Sequence, residues 1–338
     1  MSVRVKKAAV AATLVACLAA CQSEPPQPEA SASMGNATPA PSPASTETAS
    51  PAGAVHPFAA ISEIEASGDL LAVRTGSTLH VGTLDDIVDG TAATHTLDDA
   101  CGALSPNNGT FVTACGTDIR LFTAKGADSV TLDEPASAAA VTTTGEIIAA
   151  SGDDSSVRVI RDGDVEDTFT VARETDRVVA AQNGEGSPDS VVRVNNFDTT
   201  IQDLDWRAGR QGGTLRAGLG VGKVAAAPQG TILAADTTGS QLLVYNTDDV
   251  IRLQMTAPVA DSPWAVAWDV PAELAWVAST STNTAEGYSL ATGVPIKTAS
   301  FPTVADAQSL AALPDGTLVL GSATGEGLQV VAPSQLER

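Results

Sequence analysis

The chain has 338 residues, with 18 basic and 40 acidic side chains and a net charge of −22. A surface this acidic repels polyanions, which argues against nucleic acid or anionic lipid headgroups as partners. The 285 residues after position 53 are ample for a large core, in one all-β domain or two smaller ones.

Residues 1–20 read as an export signal. Arg4, Lys6 and Lys7 form a basic start, and an apolar run follows from Ala8 to Ala16. The thirteen residues from Ala8 to Ala20 are too few to span a bilayer, which takes about 20 apolar residues. The stretch Leu18-Ala19-Ala20-Cys21 resembles the lipobox of bacterial lipoproteins. That resemblance implies cleavage before Cys21, a diacylglycerol on its sulfur, and a mature protein held at the extracytoplasmic face of the cell membrane. Two acyl chains hold durably where one is marginal.

From Cys21 to residue 53 the composition changes. The run after the cysteine carries seven prolines and almost no large apolar residue. It cannot bury enough surface to offset its ordering entropy and reads as a disordered Pro/Ser/Thr-rich tether. Fully extended, it reaches on the order of 100 Å.

Cys17 leaves with the signal peptide and Cys21 is the lipidation site, so the exported domain keeps Cys101 and Cys115. Asn108-Gly109 between them is a hairpin signal. A two-residue turn there pairs Asn107 with Thr110, and counting outward leaves the cysteines one register position apart. A small adjustment joins them in a structural disulfide, as an oxidising compartment favours.

Residues 54–338 repeat. Short apolar strands flank a turn in ASGDLLAV (66–73), PNNGTFVTA (106–114), TTTGEIIAA (142–150), APQGTILAA (227–235), VPAELAWVA (270–278) and LPDGTLVLG (313–321). A double gap follows the third, where RETDRVVAA (173–181) marks the missing unit. A second series aligns on Val81, Leu121, Val159, Val194, Val244, Gly287 and Val330. Seven units at roughly 40-residue spacing, with period-two alternation and no helical stripe, predict a seven-bladed β-propeller. The last repeat ends without room for an outer strand, so residues 54–58 are expected to complete the seventh blade. TTIQDLDWRAGRQGGTLRAG (199–218) reads as an insertion after blade four.

The repeats at 227–249 and 313–331 resemble the YVTN or WD40-like propellers, including quinoprotein amine dehydrogenase-like domains. The resemblance implies a toroid that binds ligands or proteins at its funnel or faces. No catalytic, cofactor or metal residue is assigned. His56, His80 and His95 share no metal-ligand spacing, and the acidic stretch at 151–154 lacks the pattern of a calcium loop. Trp264, with Asp261 before it, is the candidate ligand or partner surface; the competing reading places the ring in the core. The rim of loops at 151–156, 183–190, 236–241, 279–286 and 322–327 is the candidate docking face. These features together predict a membrane-anchored, non-catalytic binding or scaffold module for an envelope protein or glycan. The alternative is a propeller enzyme of the lactonase or lyase type.

Overall fold

A computed structural model describes residues 33–44 and 49–336. The expected signal peptide, the expected lipidation site Cys21 and the first part of the expected tether lie outside the described residues. Among the described residues no helix is long and apolar enough to cross a membrane.

The described chain forms seven antiparallel sheets. In all but the last, spatial order repeats sequence order; the last takes its outer strand from the start of the folded chain. Blade five is typical, with strands Val221–Ala227, Thr231–Asp236, Gln241–Asn246 and Arg252–Pro258. First strands of neighbouring blades touch all the way round, the last against the first, and so enclose an axis.

The core is divided rather than central. Seven apolar clusters sit one at each junction between blades. Period-two geometry explains this, because each strand sends alternate side chains to its two neighbours. In Leu274–Ser279, Trp276 and Ala278 face blade seven while Ala275 and Val277 face blade five. A lone blade would expose both faces, so stability comes from the closed ring.

Closure is by the strand expected for it. Ala54–His56 pairs with Leu328–Val331, Ala54 opposite Val330 and His56 opposite Leu328. Fully buried Gln329 fastens the seam. Its Nε2 donates to the carbonyls of Ala52 (2.8 Å) and Pro302 (3.0 Å), and its Oε1 accepts from Val304 N–H (2.9 Å).

Blade two differs. Gly116, at φ 65°, bends the long strand Thr110–Thr123, whose first residues pair with Ser105–Asn107 and whose second half pairs with Gly126–Ala136. Cys101 lies directly opposite Cys115, and the two form a disulfide. The register does shift by one position between this bridge and the pair Ser105–Val112. The bond closes a loop with a sequence separation of 14, so replacing both cysteines by serine is expected to cost about 3 kcal/mol. Chemical denaturation of the oxidised protein and the double variant measures it.

Two sequence expectations need correction. Residues 199–218 are no insertion: Thr200–Asp205 and Arg210–Arg216 are the third and fourth strands of blade four. Val194 belongs to that blade's second strand, Ser190–Asn195, which puts the Val194 alignment one strand out of phase. The first turn of blade four is drawn out into the loop 182–189, so the short turn string seen elsewhere is missing.

The tether over 21–53 is also not a free spacer throughout. Residues 34–43 lie as a strap along one face of the ring. Gly35 N–H donates to Leu219 O (3.1 Å) and Ala40 N–H to Ser262 Oγ (2.8 Å). Ser42 N–H donates to Asp306 Oδ1 (3.1 Å), its hydroxyl donates to Thr280 O (2.7 Å), and Asp306 N–H donates back to that hydroxyl (2.7 Å). Asn283 Nδ2 donates to Pro43 O (3.2 Å). Composition alone misses this, because the strap needs no core of its own. Prolines restrict the backbone beforehand, and the loops of blades five to seven supply the polar partners.

Candidate functional site: the axial channel

The first strands present a cavity of about 610 Å³ that opens at one end of the axis. Its wall comes from blades one, two, four, five, six and seven. Ala225, Val266, Leu310 and Trp268 give it apolar surface; Asn107, Asn108, Gln182, Asn183 and Gln229 give it amides. The turns between first and second strands form its rim. The strap lies at the opposite ends of the strands, on the connections between blades and the loops after second strands.

The mouth narrows to a waist of about 20 Å³, roughly room for one water, walled in part by Glu63, Glu65 and Arg177. Lys223 of blade five reaches across the axis to Glu63 of blade one, with Nζ 3.6 Å from Oε1. The other Glu63 oxygen accepts from Leu104 N–H at 3.2 Å. Two carboxyls and two cations from blades one, four and five thus meet on the axis. Lys223 gets there through a bulge: the register between first and second strands of blade five shifts between Val221 and Val224. An extra residue in one strand re-aims a side chain that strict alternation would send to a neighbouring blade.

Burial dominates the chemistry of this waist. It pushes the Glu65 carboxyl up from 4.5 to about 8, and the nearby Glu63 charge adds to the effect; Lys223 and Arg177 only partly offset both. Burial therefore favours the neutral form of Glu65, which can donate a hydrogen bond. Burial likewise pulls the Lys223 ammonium below its ordinary value. In linkage terms, Glu65 is easiest to accommodate below pH 4.5, and its burial costs the fold progressively more as pH rises toward 8.

Among solved structures, a chain of the mitotic checkpoint complex matches with TM-score 0.63 and 13% identity, over 83% of this chain and 93% of that one. Kuenenia stuttgartiensis hydrazine synthase matches with TM-score 0.61 and 10% identity, over 85% and 97%. The WD40 propeller domain of Doa1 matches with TM-score 0.58 and 12% identity, over 83% and 96%. The chain is a seven-bladed β-propeller with WD40 structural neighbours. At such identities the likeness concerns the fold alone. No protein-family model matches the sequence, and no curated protein does.

The residues singled out in this propeller's sequence fall elsewhere than the channel. Trp264 is half-buried at a bulge near the start of blade six's first strand, Pro263–Asp269. Its ring lies over Gly222 of blade five, toward the strap end. Asp261 is exposed and accepts from Ser240 Oγ at 3.1 Å. The tryptophan that lines the mouth is Trp268. Of the proposed docking rim, loops at Thr280 and Asn283 are held by the strap, and 183–190 belongs to the mouth end instead. His56, His80 and His95 lie on third or fourth strands of their blades, and none lines the channel. The stretch at 151–154 folds on itself, Ser151 Oγ accepting from Asp153 and Asp154 N–H. Asp98 lies beside Cys101 and Cys115, but the two sulfurs are bonded to each other.

Sequence reading passes over Glu63, Glu65, Arg177 and Lys223. The one available signal is Glu-Ile-Glu in a first strand, where the fold offers no open solvent to a charge.

Proposed function

We propose that this protein is a lipid-anchored extracytoplasmic lipoprotein whose propeller is a non-catalytic binding module for an envelope protein or glycan. The observation that carries the reading is the 610 Å³ mouth on the end away from the strap. Its wall, among the described residues, is built of apolar side chains and amides, with Glu65 at the floor, which suits binding by contact and hydrogen bonding. The placement among YVTN-like or quinoprotein amine dehydrogenase-like propellers belongs to the same proposal and rests on the repeats at 227–249 and 313–331.

The strap limits the distance to the anchor. Gly35 is bound to the propeller face, and the chain from Cys21 to Gly35 spans at most about 50 Å. An acylated Cys21 would therefore hold the strap face within about 50 Å of the membrane.

Two experiments test this. Growth with an alkyne palmitate analogue should label the protein, and Cys21→Ser should lose the label; label kept by that variant removes the anchor. A photo-crosslinker at Asn108 or Gln229 in intact cells should capture a specific partner, while one at Asp261 should not. Capture from Asp261 alone would move the binding face to the strap side.

A further inference from the structure

The mouth has a recognisable chemistry. In a chain of net charge −22, its only ionisable wall residue among the described residues is Glu65, at the floor, with Lys223 and Arg177 close behind. A charged ligand would find no counter-charge at the rim and would lose its hydration there. The volume of about 610 Å³ lies within the range of small-molecule sites, about 300–1,000 Å³, and suits one end of a ligand more than a flat protein surface.

The wall is mixed. Trp268 is half-buried and lines the cavity among alanine, valine and leucine side chains. Between these stand amides with capacity to spare. Gln182 uses Nε2 on Asn107 Oδ1 (2.8 Å), which leaves its own carbonyl oxygen. The side-chain amide of Gln229 has no hydrogen bond within the described residues, on a residue held at φ 59° in its turn. A purely apolar ligand would strip water from these amides and from the Glu65 carboxyl without replacing it. Sugar hydroxyls both donate and accept, as amides and a neutral carboxyl do, while the C–H face of a sugar ring suits an indole. An N-acetyl methyl suits the Ala225, Ala226 and Val266 wall.

We infer that the channel mouth binds the end of an uncharged saccharide, stacked on Trp268 and hydrogen-bonded by Gln182, Gln229 and the Glu65 carboxyl. The inference rests on reading the mouth as the binding face. Calorimetric titration of the purified protein with the N-acetylglucosamine disaccharide should show saturable binding with a dissociation constant of about 1 mM or tighter. Trp268→Ala and Gln229→Ala should each weaken it about tenfold, Trp268→Phe less, and Glu65→Gln little. Trp264→Ala, at the other end of the axis, should leave it unchanged. Unfolding midpoints of every variant guard against misfolding, and the paired Trp268→Phe result stands if Trp268→Ala fails to fold. A fatty-acid probe or a uronic-acid disaccharide binding in place of the neutral sugar overturns the ligand class and leaves the mouth as a site. Crosslinks from Asn108 to a protein, with no sugar binding, overturn it in favour of a protein partner. Absence of sugar binding together with absence of mouth crosslinks removes both readings.

Discussion

Deleting residues 54–60 is expected to lower the unfolding midpoint of the propeller by roughly 8–16 °C. The segment adds few contacts of its own, since Ala54 and Val55 are exposed. Its effect comes from position. It covers the free edge of Leu328–Val331, and the same stretch carries Phe58 to the cluster joining blades seven and one. Ile61, fully buried in that cluster, sits just beyond the cut and would lose its chain constraint. A propeller without its last junction keeps six interfaces and opens the two apolar faces of the seventh. A loss of about 4 kcal/mol shifts the midpoint of a domain this size by 2–4 °C per kcal/mol, roughly 8–16 °C in all. Differential scanning calorimetry measures it, beside a control lacking residues 34–43. The strap makes polar surface contacts and buries no cluster, so the control should lose only a few degrees. Equal midpoints for wild type and the 54–60 deletion would mean that the ring does not depend on this seam.

The ring itself is legible in sequence because its signal repeats. Six of seven first turns carry a short recognisable string, and the seventh blade's missing outer strand points to residues 54–58. Blade four escapes because one turn is long, and a single displaced alignment at Val194 then turns two real strands into an insertion. The channel is less legible for a different reason. Alternation tells which blade a side chain faces only while the register holds. At Lys223 and Trp264 the register slips, so Lys223 reaches the axis and Trp264 leaves both clusters of its blade. The pairing of Glu63 with Lys223 joins blades one and five, which no local pattern connects. The strap is illegible because its partners are loops, whose polar groups carry no periodicity.

Gly287 shows how one blade departs from the repeat without breaking it. Other third strands carry Val or Leu at the equivalent place, as at Val81, Leu121, Val159, Val244 and Val330, and blade six carries glycine. Trp276 lies directly opposite on the second strand, fully buried. A Cβ on residue 287 would lie 3.0 Å from Trp276 Cη2 and 3.1 Å from Cζ2 and Cζ3. The indole thus fills the volume that a valine occupies elsewhere, and it is fixed there by Asp269 Oδ2, which accepts from its Nε1 at 3.3 Å, and by the Phe301 ring at 5.3 Å. Trp276→Ala is expected to cost about 4 kcal/mol, from the cavity and from the lost hydrogen bond to a buried carboxylate. Gly287→Val is expected to cost about 3 kcal/mol by forcing the indole out of its place. Because the two residues share one volume, the losses should not add. Trp276→Val combined with Gly287→Val restores the valine packing used in other blades and should fall at least about 1 kcal/mol short of the sum of the single losses. Denaturant unfolding of the wild type, Trp276→Val, Gly287→Val and the double variant closes the cycle. Strict additivity would show that glycine at 287 is unrelated to the ring beside it, and that the departure of blade six from the repeat has another cause.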